Sequence, residues 1–159
     1  MKKRFFILLL FSLTLQAALL QCQQLTIQPE TGKPTVLSRA DIESLPHSKI
    51  TTGAAESPIT FDVVTLKSVL ERAGISFDKL SGKRLASCLL VEATDGYHVV
   101  IALPELDPAF TDKQIYLAFL KNGKPLDEKE GPYRIVIPDE KRMARWVRQV
   151  TTLKIVDVN

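Results

Sequence analysis

The clearest periodicity in the chain is "TLKSVLERAG", residues 65 to 74. Leu66, Val69, Leu70 and Ala73 recur at spacings of three and four, which places them on one face of a helix. Thr65 supplies an N-cap oxygen, and Gly74 can take the left-handed conformation that closes a helix. A shorter helix is predicted in "LSRADIESLP", where Ser38 caps, Asp41 stands three residues on and Pro46 ends it. Elsewhere the pattern is that of strands. "LTIQ", residues 25 to 28, reads as an opening strand, and the stretch from Pro29 to Pro34 with Gly32 makes a turn. Residues 47 to 64 are polar with β-branched positions, and Gly53 and Pro58 divide them into two short strands and a loop.

The second half is richer in strands. "RLASCLLVEA" and "YHVVIAL" flank Asp95-Gly96 and read as a hairpin, with the dipeptide providing the positive-φ turn. "LPELDPAF" is a short turn or helical piece. "QIYLAFLKNGKPL" is a strand with a second tight turn at Asn122-Gly123, "YRIVIP" is a buried strand, and "VTTLKIVDV" closes the chain. There are no repeats or low-complexity segments. Short strands with two or three short helices among them define an α+β, mostly β domain.

The first residues have a different character. Lys2, Lys3 and Arg4 precede an apolar run from Phe5 to Leu15, the n-region and h-region of a secretory signal, and the run is too short for a spanning helix. The other reading is a retained amphipathic or buried helix. Two processing routes fit residues 1 to 21: cleavage after Ala17, or a lipobox-like "LLQC" with Cys22 as a lipidated N-terminus, although Gln21 departs from the small residue usual there. Either route delivers residues 22 to 159, a single domain, to the periplasm or another exported location. The chain has 21 Lys and Arg against 18 Asp and Glu. The leader carries three of the basic residues, so the mature chain is balanced in charge and has no electrostatic footprint for nucleic acid.

Candidate chemistry is sparse. Cys22 and Cys88 are the only cysteines and form no CxxC pair; they could join in a disulfide, but Cys88 in an apolar strand reads better as a buried free thiol. His47 and His98 have no metal-binding spacing, and no GxSxG or Gly-rich phosphate loop occurs. What stands out is "GPYRIVIPDEKRMARWVRQV", where Arg134, Arg142, Arg145 and Arg148 surround Trp146, the only tryptophan. Arginine forks suit carboxylate or phosphate, and an indole offers a flat face, so this stretch could hold a flat heterocycle with a polar or anionic tail. On composition alone it reads first as a surface ion-paired with Asp139, Glu140 and Asp157 around a core tryptophan.

These residues also carry a resemblance. "TLKSVLERAGI", "EATDGYHVVI", "NGKPL", the Pro132-x-Arg134-x-x-x-Pro138 strand and Arg142-x-x-Arg145-Trp146 follow, in order, motifs of the sulfite-oxidase family's molybdopterin-binding domain, in its small stand-alone form. The resemblance implies a mixed-sheet, barrel-like core of the sulfite-oxidase fold. It also implies that Arg134, Arg142 and Arg145 lie near a pterin-phosphate pocket, with Trp146 beside them. Asp95, Tyr97 and His98 at the hairpin end could contact a pterin ring; alternatively Asp95 serves the turn, and Tyr97 and His98 the strand surface. Two departures matter. The family's enzymes ligate molybdenum through a cysteine ahead of the "LKSVLERAG" helix, and Pro46 to Val64 contains none. Lys129 stands where the family has a histidine. Molybdenum is therefore not expected. Small exported relatives bind a free pterin and serve as ligand-sensing partners of membrane signalling proteins, and the resemblance implies that role here. A molybdopterin-dependent oxidoreductase or its subunit, and an envelope interaction module without a small ligand, are the alternatives.

Overall fold

The computed structural model describes residues 23–78 and 80–157. The predicted leader and Cys22 lie outside them. In chain order the strands are β1 (Leu25–Gln28), β2 (Thr35–Leu37), β3 (His47–Thr52), β4 (Ile59–Thr65), β5 (Cys88–Ala93), β6 (His98–Ala102), β7 (Tyr116–Lys121), β8 (Lys124–Pro125), β9 (Arg134–Val136) and β10 (Val150–Val156). The helices are α1 (Arg39–Glu43) and α2 (Leu66–Arg72), with short 3-10 turns at Gly82–Ala86, Leu103–Leu106 and Met143–Arg145.

The strands form two five-stranded sheets. One runs β2-β1-β10-β5-β6; in the other, β3, β4, β7 and β8 follow in order and β9 also pairs with β7. The α+β, mostly β reading agrees with this, and the barrel-like expectation does not. Neither sheet closes: β2 and β6 remain edges of the first, and β3 and β8 of the second. The connections use antiparallel neighbours except where β10 returns beside β1 in parallel register, Ile27 opposite Leu153.

Burial follows the side-chain period of each element. β5 and β10 alternate, sending Leu89, Val91, Leu153 and Ile155 inward. β4 is buried on both faces from Phe61 to Val64, which is why its sequence shows no alternation. On α2, Leu66, Val69 and Leu70 are fully buried, as their spacing predicts. Thr65 Oγ1 accepts from the Ser68 amide at 3.2 Å, and Gly74 closes the helix at φ +90°.

The turns carry the remaining local information. Asn122 and Gly123 both have positive φ, 52° and 73°, as a two-residue hairpin turn requires. Asn122 also accepts from the Thr60 amide at 2.9 Å, which ties this turn to β4. Two expectations shift. Residues Arg84 to Ser87, predicted as strand, belong to the 3-10 turn and its cap, and β5 begins at Cys88. Cys88 is half-buried rather than buried, because it takes an outward position of the alternating strand; it forms no disulfide among the described residues.

Helix α1 starts at a complete capping box. The Ser38 side chain accepts from the Asp41 amide, and the Asp41 carboxylate accepts from the Ser38 amide at 3.0 Å. Ser38 and then Arg72 hold the Asp41 carboxyl down to about 2. A depressed folded-state pKa stabilises the protein above the ordinary carboxylate range and loses that contribution as pH falls through the folded value. Asp41→Asn is therefore expected to lower the melting temperature at pH 7. Melts repeated at falling pH should show the deficit shrinking between about 4 and 2, as Asp41 itself becomes protonated.

Candidate functional site

The C-terminal arginines are placed by the pairing of β9 with the chain that follows. The Ile135 amide donates to the Val147 carbonyl at 2.8 Å and the Val150 amide to the Tyr133 carbonyl at 3.0 Å. Residues 147 to 150 thus run alongside β9 and carry Trp146 to Arg134. The indole is 6% exposed and its Nε1 donates to the Ile137 carbonyl at 3.1 Å. A buried indole keeps its N–H only by finding such a partner.

Arg134 is held on all sides. Its guanidinium carbon lies 5.5 Å from the Trp146 ring centroid and 5.6 Å from that of Phe61, and Nη1 donates to Glu130 Oε1 at 2.6 Å. The other oxygen of Glu130 accepts from Lys121 Nζ at 3.0 Å. One carboxylate therefore serves two cations in a partly desolvated place, with side-chain exposures of 11% for Arg134 and 14% for Glu130. Arg134 Nε is buried and has no partner among the described residues. The loop that presents Glu130 leaves no room for a side chain at Gly131. A Cβ there would meet Leu126 Cβ and the Leu126 carbonyl at 3.0 Å.

Arg145 is also engaged. Nε donates to Glu140 at 2.6 Å, and Nη2 lies 3.3 Å from Glu105 Oε2. Burial works against its charge, but Glu140 and Glu105 more than offset this and keep the guanidinium pKa above its ordinary value. Arg142 is exposed and makes no ion pair among the described residues.

The hairpin end lies beside this region. The Tyr97 hydroxyl donates to the Ala144 carbonyl at 2.8 Å, and Asp95 Oδ1 accepts from the Tyr97 amide at 2.9 Å. Asp95, Tyr97 and Trp146 line one cleft of about 710 Å³, together with Lys129, Met143 and Arg148. Tyr97 is 48% exposed and shows the cleft a phenol ring whose far end is already anchored. His98, Arg134, Arg142 and Arg145 are not among the lining residues; His98 Nδ1 sits 3.1 Å from the Gly96 carbonyl on the exposed edge strand. Lys129 and Arg148 are cleft residues that motif reasoning did not assign. Arg148 belonged to the visible arginine cluster, and Lys129 stood at the family's histidine position.

Gln149 completes the cleft and had no sequence signal. Its φ of 51° is unusual for a residue with a side chain. Its amide donates to the Glu130 carbonyl at 2.9 Å, its carbonyl accepts from the Thr94 amide at 3.0 Å, and its side-chain amide donates to the Glu128 carbonyl at 2.6 Å. One residue thus fastens the hairpin tip and the 128–130 loop, the cleft's two walls, to each other.

The oxidoreductase molybdopterin binding domain family matches residues 50–159, and the chain belongs to that family. Comparison with curated proteins gives no match. Among solved structures, the sulfane dehydrogenase SoxCD from Paracoccus pantotrophus is similar with a TM-score of 0.65 and 22% identity, over 86% of this chain and 39% of that one. That likeness shows a shared fold, and this chain spans well under half of the dehydrogenase chain. The fold is thus that of sulfite-oxidase-type domains, and the chain is a molybdopterin-binding oxidoreductase-like domain.

The residues present suit the pterin part of that cofactor better than its metal. β3, β4 and the loop between them contain no cysteine ahead of α2. Cys88 lies in the other sheet at the start of β5, roughly 16 Å along the strand from Ala93 and the hairpin tip, at about 3.3 Å per residue. No group of three or more His, Cys, Asp and Glu side chains among the described residues could hold a metal ion. Among the described residues, no cysteine lines the cleft. A flat ring could be received by Tyr97 and the edge of Trp146.

Removing Glu130 leaves Arg134 without a carboxylate between the Phe61 and Trp146 rings and takes the same partner from Lys121. Glu130→Ala should cost about 3–5 kcal/mol of unfolding free energy, measured by urea denaturation. Arg134→Met, which removes the buried charge as well as its orphaned Nε, should cost distinctly less.

Proposed function

We propose that this chain is an exported, non-catalytic pterin-binding protein that works as the ligand-sensing partner of an envelope signalling protein. One observation carries the reading: Tyr97 of the hairpin and Trp146 of the arginine motif meet at one cleft that has polar groups in its lining and, among the described residues, no cysteine. The pterin's fused ring would lie against the Tyr97 phenol. Asp95 and the cleft's backbone carbonyls would accept from its amino and ring N–H groups, as the carboxylate of a turn can do without moving. Asp95 and Tyr97 take these roles directly, with Trp146 as the rigid floor. Arg134, Arg142, Arg145 and His98 do not line the cleft; Arg134 supports it from behind, where its guanidinium lies over the Trp146 ring, and Arg145 is held by its ion pairs next to Ala144 and Trp146 in the chain. Export rests on the leader at residues 1 to 21, with Cys22 as the point of a lipid anchor if it is lipidated.

The second reading is a molybdopterin-dependent oxidoreductase or its subunit, and family membership favours it. The bound cofactor would supply the redox centre, and this chain would bind and orient its pterin. An interaction module without any small ligand is the third.

Trp146 is the only tryptophan, so its emission reports on the cleft alone. Titration with dihydroneopterin should quench it saturably, and Tyr97→Ala should weaken binding by about tenfold, the loss of one aromatic contact. Absence of a saturable change would favour the interaction module. Stoichiometric molybdenum in protein purified from its native host, measured by mass spectrometry, would favour the oxidoreductase.

A further inference from the structure

The two sheets end in four edges, β2 and β6 in one and β3 and β8 in the other. An open edge is a template for another strand, and proteins blunt it with brevity, proline or charge. Three of the four are blunted. β2 has three residues, β8 has two of which one is Pro125, and β3 carries Lys49, whose side chain is 66% exposed. β6 has none of these devices. It reads His-Val-Val-Ile-Ala, pairs with β5 without a bulge, and shows Val100 at 53% exposure.

The parity of the ladder decides which backbone groups of β6 are open. In an antiparallel pair, alternate residues send both backbone groups to the partner strand, and the residues between them send both away. The Ala93 amide donates to the Tyr97 carbonyl at 2.9 Å and the Leu103 amide to the Ser87 carbonyl at 3.0 Å, at the two ends of the β5–β6 pair. Val99 and Ile101 therefore bond to β5, and His98, Val100 and Ala102 point their backbone groups outward. The Ala102 amide is already taken, donating to Glu105 Oε1 at 3.1 Å, which ends the open edge there. His98 and Val100 remain as complete rungs, each with an outward amide and an outward carbonyl.

We propose that this edge is a self-association surface, taken by β6 of a second copy of the chain in antiparallel register, with His98 opposite Val100 of the other copy. In that register the outward amides and carbonyls of both rungs are satisfied in both copies, and the two copies make identical contacts, as a two-fold axis at Val99 requires. A shift that set Val100 against Val100 would bring the His98 carbonyl to the Ala102 amide that Glu105 occupies. No like charges face each other, since His98 meets Val100 and Val99 meets Val99. Val100, exposed in one copy, is covered by the neighbour's imidazole. The pairing does not depend on what the cleft holds, but it bears on it: His98 follows Tyr97, whose ring lines the cleft, so the second copy stiffens that wall.

Two rungs make a small interface, so association depends on concentration. Sedimentation equilibrium of the mature protein from about 1 to 500 μM should show a monomer–dimer equilibrium, with a dissociation constant of roughly 10–100 μM. Val100→Pro removes the outward amide and spares the bonds to β5, so it should weaken dimerisation at least about tenfold. Val100→Lys should do the same by placing a charge on the edge, and Val36→Lys, on the β2 edge, should change nothing. Amide exchange followed by NMR should slow at His98 and Val100 as concentration rises, and should be slow at Val99 and Ile101 throughout. Circular dichroism establishes that each variant is folded, and the lysine variant, a change at an exposed position, keeps the test open if the proline variant does not fold. A monomer at every concentration would overturn the proposal and leave the edge to a strand of another protein. So would a dimer that persists unchanged in the folded variants at Val100.

Discussion

A single carboxylate, Glu130, neutralises Arg134 where both are largely withdrawn from water, and Lys121 at a more exposed position, and much of the C-terminal half is arranged around that fact. Arg134 could not sit between Phe61 and Trp146 as an uncompensated charge, because desolvating a guanidinium costs several kcal/mol unless a partner is at hand. Glu130 is at hand because Gly131 lets its loop press against Leu126, and because the Gln149 amide fixes the Glu130 carbonyl. The ion pair, the loop and the tryptophan are therefore one unit. With Trp146 seated, the 3-10 turn before it brings the Ala144 carbonyl to the Tyr97 hydroxyl, and the cleft acquires both of its aromatic walls.

The two sheets give this unit a rigid frame. β7 pairs with β4 on one side and with β8 and β9 on the other, so Phe61, Lys121 and Arg134 are delivered from three strands to one place. β10 and β5 carry the other wall, the hairpin tip from Thr94 to Tyr97, and Thr94 is bonded to Gln149. Tyr133, fully buried on the strand entry, donates to the Gln23 carbonyl at 2.9 Å; burial pushes its hydroxyl up to about 12, so it stays a donor throughout the physiological range. The first described residues of the chain are thereby fastened to the same strand that positions Arg134. A site built on paired strands in this way holds its geometry without a ligand to organise it.

Local chemistry made most of the fold legible. The cap and apolar stripe of α2, the Ser38–Asp41 box of α1, and the Asn122-Gly123 turn are determined by residues within four positions of one another, and each forms as the sequence indicates. The family motifs named the fold because they are spaced along the chain in a fixed order. The candidate site was only partly legible. The arginine motif pointed to the right region, and Trp146 and the Asp95–Tyr97 turn do meet at a cleft there. Ion pairing of the arginines with Glu140 was among the sequence readings, and Glu130 lies only four residues from Arg134, but the contact of Arg145 with Glu105 was beyond sequence spacing, since the two lie forty residues apart. Gln149 left no mark at all, because glutamine is not a residue that advertises a left-handed turn.

The sequence by itself determined the order of the elements, the buried faces of α2, β5 and β10, and the absence of a cysteine between Pro46 and Val64. Those properties depend on short-range periodicity or on identity alone. Only the tertiary structure decided that the sheets stay open, that two of the motif arginines face carboxylates of the same chain, and that Lys129 and Arg148 line the cleft. The physical reason is that charge compensation is a matter of distance and desolvation. An arginine two residues from a proline looks the same in sequence whether its fork is free or filled, and the difference arises only when the folded backbone turns a carboxylate to within 2.6 Å of it, even one four or five residues away.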